Sequence, residues 1–347
     1  MAVKKELFGA TQNGESIYAY HISNKAGMEA VILNYGCTIR NVFVPDKDGK
    51  KVDVVLGYDD PKVYFGNDSF IGSTVGPSAN RIANAKYSID GKEFSLPVND
   101  GPNNLHTDHD NGFHKRIWDA KESENSVEFT LKSADGDLGF SGNRVFTLTF
   151  SLDEDNNLEL HYHATSDAKT LINMTNHVYF NLGGHNSGSI LDHTLMLNAS
   201  KFTPVVDSAA IPTGEMQDVA GTVFDFTKEK TIGQDINADV EQLQCVGGYD
   251  HNYCVDGAEG TLRQAAYAKS PVTGITLKCF TTLPGIQFYA GNFLKNDNGK
   301  ENTKYKARDG FCLETQYYPN SINQAGFPNS VFGPDREYDS VTVYQFK

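Results

Sequence analysis

The chain has 347 residues, and its 30 Lys and Arg against 44 Asp and Glu give a formal net charge of −14. This acidic balance argues against nucleic acid and anionic membrane surfaces as partners, because both are bound through basic surfaces. Hydrophobic residues make up 39% and aromatic residues 11% of the chain, which suffices for a large core and excludes global disorder. No apolar run approaches the roughly 20 residues that a membrane-spanning helix needs.

The first third of the chain predicts a strand, a short helix and a hairpin. The strand is an apolar run at 52–56, and the helix follows Asp60-Pro61, because proline is tolerated in a first helical turn. The hairpin centres on Asp90-Gly91, a turn pair between two short runs of β-forming residues.

The middle of the chain alternates apolar and polar residues with period two. The alternation covers 127–131, 146–152 and 158–162, and each run predicts a strand with one buried and one wet face. Further strand-like runs lie at 275–280, 286–289 and 341–346.

Helix-like spacing is scarce and is best at 231–244, where Ile232, Ile236, Val240 and Leu243 recur at helical intervals. Many short strands with turn signals are typical of a sandwich or a barrel. No Pro- or Ser-rich linker divides the chain. The sequence therefore predicts an all-β fold with few short helices, built as one large antiparallel domain over 1–347.

Five cysteines with wide, irregular spacing predict reduced thiols rather than disulfides, and they are Cys37, Cys245, Cys254, Cys279 and Cys312. The N-terminus carries two lysines but no apolar segment after them, so no secretory signal is expected. We therefore expect a cytoplasmic protein. No oligomeric state is predicted.

Several cofactor and nucleophile motifs are missing from the sequence. It contains no G-x-x-x-x-G-K-[ST] loop, no G-x-G-x-x-G, no G-x-S-x-G and no H-E-x-x-H. These absences argue against a nucleotide cofactor and a serine hydrolase, and we expect no cofactor and no metal.

Ten histidines nevertheless raise the question of a metal site. His161 and His163 share one face of a predicted strand, but no third ligand follows at a recognisable spacing, so a solvated strand face is favoured. His106 and His109 form a second pair, for which a polar loop is favoured over a metal site.

Two segments are more informative. His177 lies among amides and β-forming residues, where it is either a structural histidine bonded to a neighbouring amide or a site residue. Glu314 is a lone carboxylate in an apolar, strand-like run, and buried glutamates are either paired or functional. A glutamate and a histidine in one cleft can act as base and acid near neutral pH.

Six segments together resemble the aldose 1-epimerase (galactose mutarotase) family, in the order in which that family has them. They are Asn80-Arg81-Ile82, Asn104-Leu105-His106, Thr175-Asn176-His177-Val178-Tyr179-Phe180-Asn181-Leu182, Gly248-Tyr249-Asp250-His251, Pro284-Gly285-Ile286-Gln287-Phe288-Tyr289 and Leu313-Glu314-Thr315-Gln316. The resemblance extends over essentially the whole chain.

The resemblance implies a large twisted β-sandwich (galactose mutarotase-like) with a sugar cleft across one concave sheet. It implies an isomerase that interconverts the α and β anomers of free aldohexoses such as galactose and glucose. It implies that Glu314 is the general base and His177 the general acid, and that the sugar hydroxyls are held by Arg81, His106 and Asp250, together with Asn80 and Gln287. Tyr179 and Phe288 are candidates for packing on the apolar face of the sugar ring.

On spacing alone, a surface or ion-paired arginine is favoured for Arg81, and a turn residue after two glycines is favoured for Asp250. Only the family resemblance favours a sugar-binding role for the two residues. The chain also departs from the family pattern in two places. Thr107-Asp108 stands where many relatives have Gly-Gly, beside the predicted cleft, and Ser141-Gly142 stands where Pro-Gly is common. We expect the second change to alter a turn and not the chemistry.

Three other functions remain open from the residues: a sugar-binding protein without catalysis, an epimerase of a phosphorylated hexose, and a glycosidase or lyase that uses Asp250 as its second carboxylate. The acid–base pair predicts a bell-shaped pH dependence. Protonation of Glu314 is expected to limit the acid side, and deprotonation of His177 the basic side.

Overall fold

Strands dominate the structure, a computed structural model that describes residues 3–347. In chain order the strands are β1 (Lys4–Ala10), β2 (Ser16–Ser23), β3 (Glu29–Leu33), β4 (Thr38–Pro45), β5 (Lys51–Asp53), β6 (Thr74–Val75), β7 (Arg81–Ile82), β8 (Lys86–Ile89), β9 (Lys92–Ser95), β10 (Asn104–Leu105), β11 (Asp119–Glu122), β12 (Ser126–Ser133), β13 (Arg144–Leu152), β14 (Asn157–Ser166), β15 (Thr170–Leu171), β16 (Thr175–Asn176), β17 (Thr194–Leu197), β18 (Lys201–Thr203), β19 (Gln217–Asp218), β20 (Lys230–Thr231), β21 (Asp250–Cys254), β22 (Arg263–Lys269), β23 (Thr276–Thr281), β24 (Gly285–Tyr289), β25 (Cys312–Gln316), β26 (Val331–Phe332) and β27 (Tyr338–Phe346).

Three antiparallel sheets make up most of the fold. The large sheet has nine strands in the order β11-β12-β13-β14-β27-β23-β22-β17-β20. An N-terminal sheet runs in sequence order from β1 to β5, and the site sheet has the order β19-β18-β21-β24-β25. Two-stranded ladders join β7 to β10, β6 to β16, β8 to β9 and β15 to β26.

The period-two prediction is confirmed on the large sheet. Along β13, Phe146, Leu148 and Phe150 are fully buried, and the residues between them are partly exposed. On the neighbouring β14, His161 and His163 lie on the wetter face, as their spacing predicts.

Side chains from different sheets meet in one core. The ring of Tyr20 in β2 packs edge-on against Phe129 in β12, with centroids 5.4 Å apart. Between the large and site sheets, the Tyr344 hydroxyl donates to the carbonyl oxygen of Leu313 at 3.1 Å. The predicted all-β antiparallel sandwich is therefore confirmed.

The predicted helix over 231–244 is wrong for most of its length, because the only α-helix in residues 3–347 is α1 (Glu241–Val246). The backbone N–H groups of Ile232 and Gly233 donate to the carbonyls of His193 and Leu191, at 2.9 and 2.8 Å, instead of closing helical turns. Ile232 and Ile236 are buried as the pattern indicates, but from irregular turns.

Short 3-10 turns supply the remaining helix, at Pro61–Gly66, Ala83–Ala85, Phe113–Lys115, Asp137–Gly139, Lys300–Asn302 and Ser321–Asn323. The first confirms the predicted short helix, and the Asp60 side chain accepts a hydrogen bond from the N–H of Lys62 at 2.8 Å to cap it. The predicted hairpin is confirmed in β8 and β9, where Asp90 and Gly91 have φ of +52° and +81°.

The remaining predicted strands are confirmed with shifted ends. Of the predicted strand at 52–56, only the part that falls within β5 (Lys51–Asp53) is a strand. All five cysteines are free thiols. Within residues 3–347, no helix has both the length and the apolar character needed to cross a membrane.

Candidate active site

Two rows of side chains lie on one face of the site sheet. The strand register places Asn252, Gln287 and Glu314 side by side across β21, β24 and β25. The same register places Asp250 beside Tyr289 and Cys312 in the next row. Because side chains alternate along a strand, the intervening residues of all three strands face the core instead.

Glu314 and His177 form the centre of the site. Glu314 Oε1 lies 3.7 Å from His177 Nε2, and both side chains are almost completely buried. His177 follows β16, and its backbone is fixed by hydrogen bonds with Ser73 and Gly72, at 2.8 and 3.1 Å. Its other ring nitrogen, Nδ1, lies 3.6 Å from the Sγ of Cys312.

Burial reverses the usual order of the two pKa values. It lowers the pKa of His177 to about 4, and it raises the pKa of Glu314 well above its ordinary value. The negative charge of Asp250 adds to the shift of Glu314, and Arg81 opposes it. The sequence assigns the acid limb of the pH profile to Glu314 and the basic limb to His177. The structure reverses this assignment, because His177 has the lower pKa and Glu314 the higher.

The short ladder of β7 and β10 brings three more predicted residues together. The N–H of His106 donates to the carbonyl of Asn80 at 3.0 Å, and the N–H of Asn80 donates to Nδ1 of the His106 ring at 3.1 Å. Burial also lowers the pKa of His106 well below its ordinary value. His106 is therefore neutral with its proton on Nε2, which makes that nitrogen a hydrogen-bond donor.

Arg81 and Asp250 each have a fixed partner. The Nε of Arg81 donates to Asp100 Oδ2 at 2.8 Å, so Arg81 is an ion-paired arginine and also lines the cleft. The Nε2 of Gln287 donates to Asp250 Oδ1 at 2.7 Å. Asp250 begins β21 rather than forming a turn. Burial is the largest cause of its raised pKa.

These residues surround one cleft of about 310 Å³, a volume at the lower end of the range for small-molecule sites. Seven of the eight predicted site residues line it, namely Asn80, Arg81, His106, His177, Tyr179, Asp250 and Glu314. The eighth, Gln287, is not among the lining residues and contacts the cleft through Asp250. The suggestion for Phe288 is wrong, because its ring packs on Tyr249 and Phe226 in the core.

The sequence interpretation missed several lining residues, which are Asp68, Ser69, Phe70, Leu105, His109, Tyr289, Phe293 and Leu294. Tyr289 carried a usable signal, since it is two residues from Gln287 and so shares its face. Phe70 gave no such signal, because it lies in a loop, with φ of +54°, and not in a strand whose alternation could be followed. Its ring centroid lies 4.8 Å from that of His106 and 6.0 Å from that of His177.

The loop at Thr107-Asp108 is compatible with an intact cleft. Thr107 has φ of +70°, a conformation that favours glycine. Here the Thr107 hydroxyl donates to the carbonyl of Ser78 at 2.9 Å and accepts from its N–H at 3.0 Å. Ser141-Gly142 forms a turn against Lys169 and Asp135, outside the residues that line the cleft.

Potential metal ligands also meet in this cleft. Within residues 3–347, His106, His177 and Glu314 form the one group of three ligand-type side chains whose ligand atoms lie within 4.8 Å of one another. His106 does not suit a metal, because Nδ1 already accepts a hydrogen bond and Nε2 carries the proton. His161 and His163 instead contact Asp339 and Glu337 on the exposed face of the large sheet.

Two other depressions are larger than the cleft, about 360 and 430 Å³. The first has no histidine among its lining residues. The second contains His185, which lies 3.7 Å from Glu301, but that glutamate side chain is 71% exposed and interacts weakly in water. Chemistry rather than size therefore distinguishes the cleft around Glu314 and His177, where a buried carboxyl, a buried imidazole and fixed hydroxyl-binding groups converge.

Comparison with known proteins gives a consistent result. A family model described as aldose 1-epimerase matches residues 18–345. The galactose mutarotase of Bos taurus is 38% identical over 347 residues, covering 100% of this chain and 99% of its own length. The aldose 1-epimerase of Escherichia coli K12 is 36% identical over 337 residues, covering 96% of each chain.

Solved structures agree in fold over nearly the full length. An aldose epimerase homologue from C. elegans superposes with a TM-score of 0.86 at 32% identity, covering 94% of this chain and 98% of its own. A galactose 1-epimerase from Lactobacillus acidophilus superposes with a TM-score of 0.85 at 30% identity, covering 99% and 98%.

Proposed function

The chain belongs to the aldose 1-epimerase family and is a mutarotase, an isomerase acting on sugars; from that premise we propose that Glu314 is its general base and His177 its general acid. The observation that carries this proposal is the buried pair itself, with 3.7 Å between Oε1 and Nε2 in a cleft lined by hydroxyl-binding groups. Sugar binding alone does not need such a pair.

Ring opening requires two proton transfers on one hemiacetal. Glu314 takes the proton from the O1 hydroxyl, and His177 gives a proton to the ring oxygen O5. The electron pair of the O1–H bond forms the carbonyl at C1, and the C1–O5 bond breaks toward O5. Each such transfer by a positioned side chain typically accelerates a reaction by about 10²–10⁴-fold.

Reclosure reverses the roles of the two residues. Rotation about the C1–C2 bond presents the other face of the aldehyde to the O5 hydroxyl. His177 takes the O5 proton as the C1–O5 bond forms again, and Glu314 returns a proton to O1. The pair ends as it began, so neither a covalent intermediate nor a net gain of protons is needed.

The pair must hold one proton in total throughout this cycle. Before a sugar binds, burial favours the neutral form, with the proton on Glu314. The Oε2 atom of Glu314 is buried and has no hydrogen-bond partner within residues 3–347. A sugar hydroxyl that donates to this carboxyl group would stabilise the carboxylate and move the proton to His177, so that substrate binding would prepare the reactive form.

The other predicted residues are proposed to hold the sugar while C1 turns. Nε2–H of His106 and the guanidinium of Arg81 donate, and Asp250 accepts from hydroxyl groups. The backbone N–H of Asn80 fixes the His106 ring, and the side-chain amide of Gln287 fixes the Asp250 carboxyl group, so these two residues support the binding groups. Tyr179 and Tyr289 supply aromatic surface in the cleft.

We propose free aldohexoses such as galactose and glucose as substrates. The names of the relatives support galactose. A phosphorylated hexose is disfavoured, because Arg81 is the one Lys or Arg among the lining residues and Asp68, Asp250 and Glu314 are acidic. We further propose a cytoplasmic location, in keeping with five free thiols, and a single domain, in keeping with one core that several sheets share.

Polarimetry of freshly dissolved α-D-galactose tests the roles of the pair. We expect wild-type protein to accelerate the change in rotation, and Glu314→Gln and His177→Asn each to lose at least about 100-fold of that acceleration. The chain offers a matched control, since His163 and Glu337 form a His–Glu pair at 3.0 Å on an exposed face. His163→Asn and Glu337→Gln should leave the rate unchanged.

Loss of activity without loss of sugar binding in both site variants supports the proposed roles. If either site variant keeps nearly full activity, the assignment of that residue is wrong. If wild-type protein binds galactose and glucose without accelerating either rotation, the acid–base proposal fails and a sugar-binding role replaces it.

A further inference from the structure

The guanidinium of Arg81 is held from outside the predicted set of site residues. Its Nε donates to Asp100 Oδ2 at 2.8 Å, and neither side chain is fully exposed, at 16% and 32%. Asp100 does not line the cleft. Its backbone is anchored by two hydrogen bonds with Asn103, of 3.1 and 2.9 Å.

The single contact through Nε has a geometric consequence. A guanidinium presents five N–H donors in a rigid plane, and a carboxylate bound at Nε leaves the terminal amino groups available. No hydrogen bond within residues 3–347 uses the terminal amino groups of Arg81. Asp100 therefore orients the guanidinium plane of Arg81. The terminal amino groups of Arg81 are free to donate, and Arg81 is the one arginine that lines the cleft.

We propose that Asp100 is a positioning residue, which orients Arg81 so that its terminal amino groups meet the sugar hydroxyls. The inference rests on the proposed function, because it assigns Arg81 to the substrate. Asp100 acts only through Arg81 and does not touch the sugar.

Asp100 also affects the charge balance of the cleft. Arg81 lowers the pKa of both Asp250 and Glu314, and Asp100 raises the pKa of Asp250. With the Asp100 charge removed, the positive charge of Arg81 would be less compensated. The pKa of Asp250 would then fall.

A purely structural role predicts a different pattern. If this partly buried ion pair were purely structural, its loss would lower the melting temperature and leave KM and kcat of the folded protein nearly unchanged. A positioning role predicts weaker substrate binding, with a smaller effect on kcat, in a normally folded protein.

The test compares Asp100→Asn and Asp100→Glu with Asp59→Asn in polarimetric assays of galactose. Asp59 is a matched control, because it pairs with Arg40 at 2.9 Å and does not line the cleft. For Asp100→Asn we expect KM to rise roughly tenfold with a smaller change in kcat, as for loss of a binding interaction made throughout the reaction. Asp100→Glu should restore much of the KM.

A double-mutant cycle with Arg81→Gln locates the effect. If Asp100 acts through Arg81, Asp100→Asn should add nothing in the Arg81→Gln background. Independent, additive losses, or a wild-type KM in Asp100→Asn, would overturn the inference. These outcomes require an active wild-type enzyme, so they differ from failure of the proposed function, in which wild-type protein itself shows no mutarotation.

Discussion

Nδ1 of His177 lies 3.6 Å from the Sγ of Cys312, so the histidine that faces Glu314 with one ring nitrogen faces a thiol with the other. Burial raises the pKa of the Cys312 thiol well above its ordinary value, which keeps it protonated and neutral. A neutral thiol can donate weakly to an unprotonated nitrogen and accept weakly from a protonated one. Unlike a carboxylate, it does not favour the imidazolium strongly, which suits a residue that must both give and take a proton.

Replacing this thiol should have a small but specific effect. We expect Cys312→Ala to lower kcat about two- to fivefold, equivalent to a hydrogen bond of roughly 0.5–1 kcal/mol, and Cys312→Ser to remain near wild type. Cys279→Ala, at another buried free cysteine, serves as the control for packing effects on the fold. Equal losses in Cys312→Ala and Cys312→Ser would argue against a hydrogen-bonding role.

The pH dependence of kcat/KM should show the reversed pKa order. The active pair holds one proton, so activity falls below the lower pKa, where both groups are protonated, and above the higher pKa, where neither is. Since the pKa of His177 is about 4 and that of Glu314 is raised, activity should stay level from about pH 5 up to the raised pKa of Glu314. The basic limb then reflects Glu314.

Initial rates of mutarotation, corrected for the buffer-catalysed rate at each pH, measure this profile. Titration of the His177 ring by NMR in the same range provides an independent reading. A basic limb near pH 6.5 that coincides with titration of His177 would show that the ordinary order applies, because that is the reference pKa of histidine.

Discrimination against phosphorylated sugars should be strong. A 6-phosphate would enter a cleft whose lining has one arginine, already paired with Asp100, and the acidic side chains of Asp68 and Asp250. Like charges placed together at a binding site cost several kcal/mol. We expect kcat/KM for galactose 6-phosphate to be at least about 100-fold below that for galactose, or about 2.7 kcal/mol.

The comparison sugar for this measurement is 6-O-methylgalactose, which adds bulk at the same position without charge. If it is turned over well and the phosphate is not, charge is the cause. Similar losses for both sugars would instead indicate a steric limit at C6, and efficient turnover of the phosphate would contradict the electrostatic argument.

Local patterns were sufficient to predict much of the architecture, whereas most of the site residues were predicted from the family resemblance. The alternation in 146–152 depends only on which face is buried, and the fold buries that face. The lone carboxylate Glu314 in an apolar run was recognisable because burial of an unpaired charge is costly. The alternation of side chains along a strand also predicts that Cys312 shares a face with Glu314. The same alternation places Phe288 on the face opposite to Gln287.

The features that were not predictable depend on contacts between distant segments. The helix spacing at 231–244 was overridden because Ile232 and Gly233 bond to the loop at 191–193. Asp100 lies 19 residues from Arg81 in a segment that reads only as a turn. The exchanged pKa order of His177 and Glu314 follows from burial in the assembled cleft, which no local pattern expresses.

The loop beside His106 offers a test of stability at a position whose backbone conformation favours glycine. Thr107 has φ of +70°, which is strained for a β-branched residue, and its hydroxyl compensates with two hydrogen bonds to the Ser78 backbone. Thr107→Ala removes both bonds and keeps the strain, so we expect it to lower the free energy of unfolding by about 1–3 kcal/mol. Thr107→Gly also removes the bonds but relieves the strain, and it should be more stable than Thr107→Ala by about 1 kcal/mol.

Urea denaturation of the wild type and the two variants measures these differences, and an unchanged m-value would show that the unfolded states are comparable. His106 continues into this loop and bonds to Asn80, so the order of the variants should recur in KM for galactose, with Thr107→Ala the weaker binder. If Thr107→Ala is as stable as wild type, the hydroxyl bonds do not hold the loop. If Thr107→Gly is the less stable variant, the strain at this position is smaller than its φ indicates.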